Sequence, residues 1–151
     1  MVSFARCASA SAVTAALLLS AAPVLPLVAQ DEQEPDKLYV FATAEGAGVI
    51  GGGAEEGYAE FSAEIDPKTG AFCYTLSTGD IEMTAAHVHK GKADETGAPV
   101  VTLEETPEED ATCVDIDAKL AKDIGSKPGN YYVNVHSEEF PGGALRGQLE
   151  D

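Results

Sequence analysis

Short runs in which apolar and polar residues alternate, separated by turn sequences, recur along the chain from about residue 37 onward. In residues 59–65, Ala, Phe, Ala and Ile alternate with Glu, Ser and Glu. Successive side chains of a strand point to opposite faces, so this run has one apolar face and one wet face. Residues 66–70 follow as a turn, in which Pro67 presets φ and Gly70 can adopt a positive φ. The pattern predicts an all-β fold, an antiparallel β-sandwich or a Greek-key-like barrel.

One short helix and a closing hairpin complete this prediction. Asp117 can cap a helix over residues 118–124, and Gly125 is a stop signal for it. The last hairpin is expected to pair residues 131–136 with residues 144–149. We therefore expect one β domain over residues 37–151.

The first 36 residues are expected to lie outside that domain. Residues 1–29 carry Arg6 as their only charge before an apolar run, which is typical of a cleaved signal peptide. Pro23 and Pro26 interrupt the run, and it is shorter than the roughly 20 residues of a spanning helix, so no membrane span is expected after cleavage. Residues 30–36 are acidic and are predicted to be a disordered leader. The protein is expected to be exported, either to the periplasm or to the medium.

The charge of the chain excludes some partners. The chain has 9 basic and 26 acidic residues and a net charge of −17. Cleavage that removes Arg6 leaves 8 basic residues against the same 26 acidic ones, a net charge of −18. Nucleic acid would be repelled, and anionic membranes are disfavoured. The acidic loop at residues 104–110 matches no EF-hand spacing and is expected to be a solvated loop rather than a calcium site.

Two cysteines, Cys73 and Cys113, remain after loss of the signal peptide. Exported proteins meet oxidising conditions, so these residues are predicted to form one disulfide. A thiolate metal site is the weaker interpretation, because neither cysteine has a second cysteine or a histidine close to it in sequence.

The three histidines of the chain are candidate metal ligands. His87 and His89 lie on one face of a predicted strand, with Cα atoms about 6.6 Å apart, and His136 lies in the last hairpin. Three imidazoles with an open coordination position suit zinc or copper. The alternative is that the rings pack in the polar half of the sheet, bonded to backbone carbonyls, to Asn134 or to a tyrosine hydroxyl. The strand order decides between them, because His136 must lie beside the strand of His87.

Several segments together resemble the chordin-type domain, known as CHRD. They are Phe-Cys-Tyr-Thr-Leu at residues 72–76, Ala-Ala-His-Val-His-Lys-Gly at 85–91, Gly-Ala-Pro-Val-Val at 97–101, and Tyr-Tyr-Val-Asn-Val-His-Ser at 131–137 with Phe-Pro-Gly-Gly-Ala-Leu-Arg-Gly-Gln-Leu at 140–149. The family usually has glycine and proline directly after its histidine pair, where this chain has Lys-Gly-Lys. The resemblance implies a β-rich extracellular module, found in bacterial exported proteins and in chordin, an antagonist of growth-factor signalling. It implies no established catalytic activity.

The last of these segments contains residues with predicted structural roles. Pro141 limits the entry to a turn, and Gly142 and Gly143 permit its φ values. Gly147 is expected to mark a bulge or a close approach between strands. Arg146 is expected to contact a carboxylate or to clamp a loop carbonyl rather than to bind a ligand.

Taken together, these features predict a noncatalytic exported module with a binding or a structural role. The chain contains no Gly-x-Ser-x-Gly elbow and no phosphate-binding loop, so we expect no enzyme. Its loops are expected to recognise an extracellular or envelope protein or polymer. The alternative function is zinc or copper binding by His87, His89 and His136. The oligomeric state is left open.

Overall fold

A computed structural model describes residues 37–106 and 110–151 of the chain. The predicted signal peptide, the acidic leader and residues 107–109 of the acidic loop lie outside these residues. The elements of the described part are β1 (Leu38–Glu45), a 3₁₀ turn (Gly46–Gly48), β2 (Tyr58–Ile65), β3 (Ala71–Gly79), β4 (Ala85–Lys90), β5 (Pro99–Leu103), β6 (Thr112–Asp115), α1 (Ala118–Ser126), a second 3₁₀ turn (Pro128–Asn130), β7 (Tyr131–His136) and β8 (Leu145–Gln148).

Within the described residues, the eight strands form one sheet in the order β5-β4-β7-β8-β1-β2-β3-β6. Every pair of neighbouring strands is antiparallel. The sheet curls into a half-barrel, which confirms the all-β, barrel-like prediction. Its two edges are β5 and β6, so the sheet does not close on itself.

The core lies on one face of this curled sheet and follows the predicted alternation. In β2, Phe61 and Ile65 are buried while Ser62 between them is exposed. The rings of Phe61, Phe72 and Tyr74 pack together with centroids 6.0 to 6.3 Å apart. Aromatic burial of this kind supplies much of the stability of a small domain.

Helix α1 starts where the sequence predicts and ends later. The Asp117 side chain accepts hydrogen bonds from the backbone N–H groups of Lys119 and Leu120, which makes it the N-cap. The prediction that Gly125 stops the helix is wrong, because the helix continues through it to Ser126. A Cβ at Gly125 would lie 2.6 Å from Cδ1 of Leu38, so glycine is needed there for close packing of α1 on β1.

Two features of the sheet bear on the export and site predictions. Cys73 on β3 lies opposite Cys113 on the edge strand β6, and their sulfur atoms are bonded at 2.07 Å. Strand β4 lies between β5 and β7, so the two histidine-bearing strands are direct neighbours.

In residues 37–106 and 110–151, no helix combines the length and hydropathy that crossing a bilayer requires.

Candidate metal centre

The β4–β7–β8 part of the sheet has an apolar face in the core and a polar face opposite to it. Ala86 and Val88 of β4 belong to the core, so His87 and His89 point to the polar face.

Residues that are directly paired across antiparallel strands share a face. The partners of the two histidines on β7 are Asn134 for His87 and Tyr132 for His89. His136 lies two residues beyond Asn134, and Arg146 of β8 pairs with Asn134, so both are on this polar face as well.

His87, His89 and His136 meet on the polar face, and we refer to them as the histidine cluster. Each offers one ring nitrogen, and these three atoms lie within 4.8 Å of one another. The shortest contact joins Nδ1 of His87 to Nε2 of His136 at 3.2 Å. Ring centroids are 5.6 Å apart for His87 and His89, and 5.2 Å apart for His87 and His136. The direct pairing of β4 with β7 therefore brings the three histidines together on one sheet face.

Backbone carbonyls orient two of the three rings. Nδ1 of His89 is 2.9 Å from the carbonyl oxygen of Gly97, and Nδ1 of His136 is 3.0 Å from that of Pro141. A carbonyl oxygen only accepts hydrogen bonds, so Nδ1 is the donor in each ring. In the neutral imidazole, Nε2 then carries the free lone pair. Histidines that bind metal ions in proteins usually donate their second ring N–H in this way.

The other nitrogen of His89 has no partner. His89 exposes only 9% of its surface, and its Nε2 is buried without a hydrogen bond to any described residue. An unpaired buried polar atom costs about 1–3 kcal/mol. Nε2 of His136 differs, because it accepts from Nδ1 of His87 and lies 3.4 Å from Nδ2 of Asn134. His89 thus offers a free lone pair, whereas His136 must exchange a hydrogen bond for a metal bond.

The spacing of the cluster is close to that of a metal site. Ligand nitrogens about 2.0–2.1 Å from a tetrahedral zinc ion are about 3.4 Å from one another. The 3.2 Å contact between Nδ1 of His87 and Nε2 of His136 is near this separation, and the proton on Nδ1 of His87 must move to its Nε2 before both atoms can bind an ion. The widest spacing in the cluster, up to 4.8 Å, must shorten by about 1.4 Å when an ion binds.

The surroundings of His87 and His89 favour the neutral form of both rings. Burial lowers the pKa of His87 below its usual value, and the nearby His136 and His89 lower it further. Burial also lowers the pKa of His89, against the opposing effect of its hydrogen bond to Gly97. Both rings therefore stay neutral to a lower pH than a free histidine does. The neutral ring is the form that binds a metal ion.

Tyr132 and Gly97 both contact His89, and neither residue was predicted from the sequence to do so. The ring of His89 stacks on Tyr132 with centroids 5.0 Å apart and planes at 15°. Cζ of Arg146 lies 3.6 Å from the centroid of the same tyrosine. The two-residue spacing of Tyr132, Asn134 and His136 was a signal for the tyrosine, since it places all three on one strand face. Gly97 gave no such signal, because it acts through its carbonyl group.

Arg146 and Gly147 of the last segment both lie close to backbone carbonyl groups of other segments. Arg146 donates from Nη2 to the carbonyl oxygens of Lys92 and Glu95, at 2.6 and 2.9 Å, so it contacts loop carbonyls rather than a carboxylate. A Cβ at Gly147 would lie 2.3 Å from the carbonyl oxygen of Thr43, which makes this position a close approach between β8 and β1.

The turn before β8 leads to a stability prediction that compares two adjacent glycines. Gly143 has a φ of +141°, and a Cβ there would lie 2.7 Å from Oδ1 of Asn134. We expect Gly143→Ala to lower the free energy of unfolding by about 1–3 kcal/mol, from backbone strain and from displacement of Asn134. Denaturant unfolding of the oxidised protein measures this.

Gly142→Ala is the matched control. Apart from its two chain neighbours, no described residue lies within 4 Å of a Cβ at Gly142, so alanine there is expected to leave the stability unchanged or to raise it by up to about 1 kcal/mol. Equal losses in the two variants would contradict the role assigned to Gly143.

The comparisons with known proteins identify the family. No curated protein and no solved structure matched the chain at a significant level. The family model of the CHRD domain matches residues 40–149, a range that includes both histidine-bearing strands and the disulfide. Such a domain suggests a noncatalytic module. Because this match covers most of its 151 residues, the chain belongs to the CHRD domain family.

Proposed function

We propose that this protein is an exported, noncatalytic CHRD module whose histidine cluster binds one zinc or copper ion. The observation that carries the proposal is the convergence of three ring nitrogens within 4.8 Å on one sheet face. The carbonyl groups of Gly97 and Pro141 support it, because they leave Nε2 of His89 and of His136 as the ligand atoms. The unpaired, buried Nε2 of His89 supports it further.

The ligand set indicates the class of metal. Imidazole suits zinc and copper, whereas calcium and magnesium take oxygen ligands. Three protein ligands leave a fourth position open on a tetrahedral ion. The net charge of −17 attracts cations to the protein and raises their local concentration. The loops that flank the cluster, residues 91–98 and 137–144, would be the surface that contacts an extracellular or envelope protein or polymer.

Two further observations support the exported and noncatalytic parts of the proposal. Disulfides such as Cys73–Cys113 persist in oxidising compartments outside the cytosol. Ser137 lies next to His136 in sequence, but its Oγ accepts a hydrogen bond from the backbone N–H of Phe140. His136 itself contacts Pro141 and His87, so this adjacent pair does not have the geometry of a nucleophile and its base.

Metal titration of the oxidised, exported protein tests the proposal. We expect about one zinc or copper ion per chain by calorimetry and elemental analysis, and at least a hundredfold weaker binding in the His87→Ala, His89→Ala double variant, because only one imidazole remains. Competition between the two metals identifies the preferred ion.

Thr102→Ala is the matched control for this titration. Thr102 lies opposite His87 on β5 and is exposed, so its loss alters the same face without removing a ligand. Absence of stoichiometric binding by the folded wild-type protein would contradict the proposal. So would unchanged binding by a folded double variant.

A further inference from the structure

The loop that joins β4 to β5, residues 91–98, contacts both the histidine cluster and neighbouring residues that are not candidate metal ligands. We call it the β4–β5 loop. It brings the carbonyl group of Gly97 to His89, and the backbone N–H of Gly97 donates to the hydroxyl of Tyr132 at 3.2 Å. A Cβ at Gly97 would lie 1.5 Å from the carbonyl oxygen of Lys90, so the loop passes very close to the end of β4. The orientation of His89 thus depends on where this loop lies.

Arg146, on β8, also contacts the β4–β5 loop. It is buried, with 7% of its surface exposed, and its guanidinium group donates to the carbonyl oxygens of Lys92 and Glu95. The guanidinium group also lies over the ring of Tyr132, against which His89 stacks. A cation on an aromatic ring and a charge-assisted hydrogen bond are each among the stronger noncovalent contacts. Arg146 therefore restrains both neighbours of His89, the loop and the tyrosine.

We infer that Arg146 is a positioning residue of the metal centre, which fixes the Nδ1–H tautomer and the direction of His89 through the β4–β5 loop and Tyr132. This inference rests on the proposed function for its metal-binding consequence. Arg146 does not touch the ion. Removing a group that orients a metal ligand without touching the ion typically changes the metal affinity 10- to 100-fold.

Arginine is required for this role, rather than any cation. The two N–H groups of Nη2 have fixed directions in the guanidinium plane, so this one nitrogen holds two loop carbonyl groups while the guanidinium group lies over Tyr132. A lysine keeps the positive charge but places it on a flexible chain with a different donor geometry. Arg146→Lys therefore separates the geometry of the clamp from its charge.

Two measurements on Arg146→Lys test the inference. Zinc titration is expected to give a dissociation constant 10- to 100-fold larger than that of the wild type. Nitrogen-15 NMR of the metal-free protein is expected to show His89 as the Nδ1–H tautomer in the wild type and as a mixture of tautomers in the variant. Thermal unfolding establishes that the variant is folded, and Gly97→Ala, which displaces the loop directly, is expected to give the same tautomer change.

Thr102→Ala, the control of the metal titration, serves here as well, because Thr102 is exposed on the same sheet face and is neither a histidine ligand nor part of the Arg146 clamp. It is expected to change neither the zinc affinity nor the tautomer of His89. A folded Arg146→Lys protein that retains the Nδ1–H tautomer and zinc affinity within twofold of the wild type would overturn the inference. If the wild type binds no zinc, the proposed function fails for zinc, and the tautomer of His89 in the metal-free variant still decides the positioning role.

Discussion

Reduction of the Cys73–Cys113 disulfide is expected to lower the free energy of unfolding by about 4 kcal/mol, according to the chain-entropy relation for a closed loop of this length. The two cysteines are separated by 40 residues, so the bond removes many conformations from the unfolded chain. It also fastens the edge strand β6, which pairs with β3 and has no neighbour on its other side among the described residues. For a small domain, this contribution is a large part of the total stability.

Denaturant unfolding with and without a reductant measures the effect. The control is the Cys73→Ala, Cys113→Ala double variant, which is expected to be as unstable as the reduced wild type and insensitive to reductant. A loss below about 1 kcal/mol on reduction would contradict the prediction, because the loop would then be closed almost as well by strand pairing alone.

Replacing Phe72 with alanine is expected to lower the free energy of unfolding by about 3–5 kcal/mol. Phe72 has no exposed surface and packs against Phe61 and Tyr74, with centroids 6.3 and 6.0 Å away. Truncation removes its buried apolar surface and leaves a cavity beside two large rings. Equilibrium unfolding of the oxidised variant provides the measurement.

Phe41→Ala is the control for this substitution. Phe41 lies in β1, and 47% of its surface is exposed, so its truncation is expected to change stability by at most about 1 kcal/mol. Similar losses for Phe41→Ala and Phe72→Ala would show that the apolar face assigned here is not the core of the domain.

Much of the local structure was predictable because it depends on residues close together in sequence. The alternation in residues 59–65 predicted which side chains of β2 are buried, and Phe61 and Ile65 are indeed in the core. Gly70 ends the predicted turn with a φ of +88°. Asp117 was identified as a helix cap because aspartate is favoured directly before the first turn of a helix. The end of that helix was mispredicted, because Gly125 is required by its contact with Leu38, a residue far away in sequence.

The histidine cluster likewise has one part that local sequence determined and one part that depends on distant segments. The sequence alone determined that His87 and His89 share a strand face, since residues two apart in a strand always do. Only the tertiary structure decided that β7 pairs with β4, which brings His136 to them, and that Gly97, Tyr132 and Arg146 surround His89. The physical reason is the range of the interactions. Periodicity and turn geometry are set by neighbouring residues. Strand order and loop packing depend on contacts between distant segments, such as hydrogen bonds between residues 49 to 54 positions apart, and these leave no pattern in the local sequence.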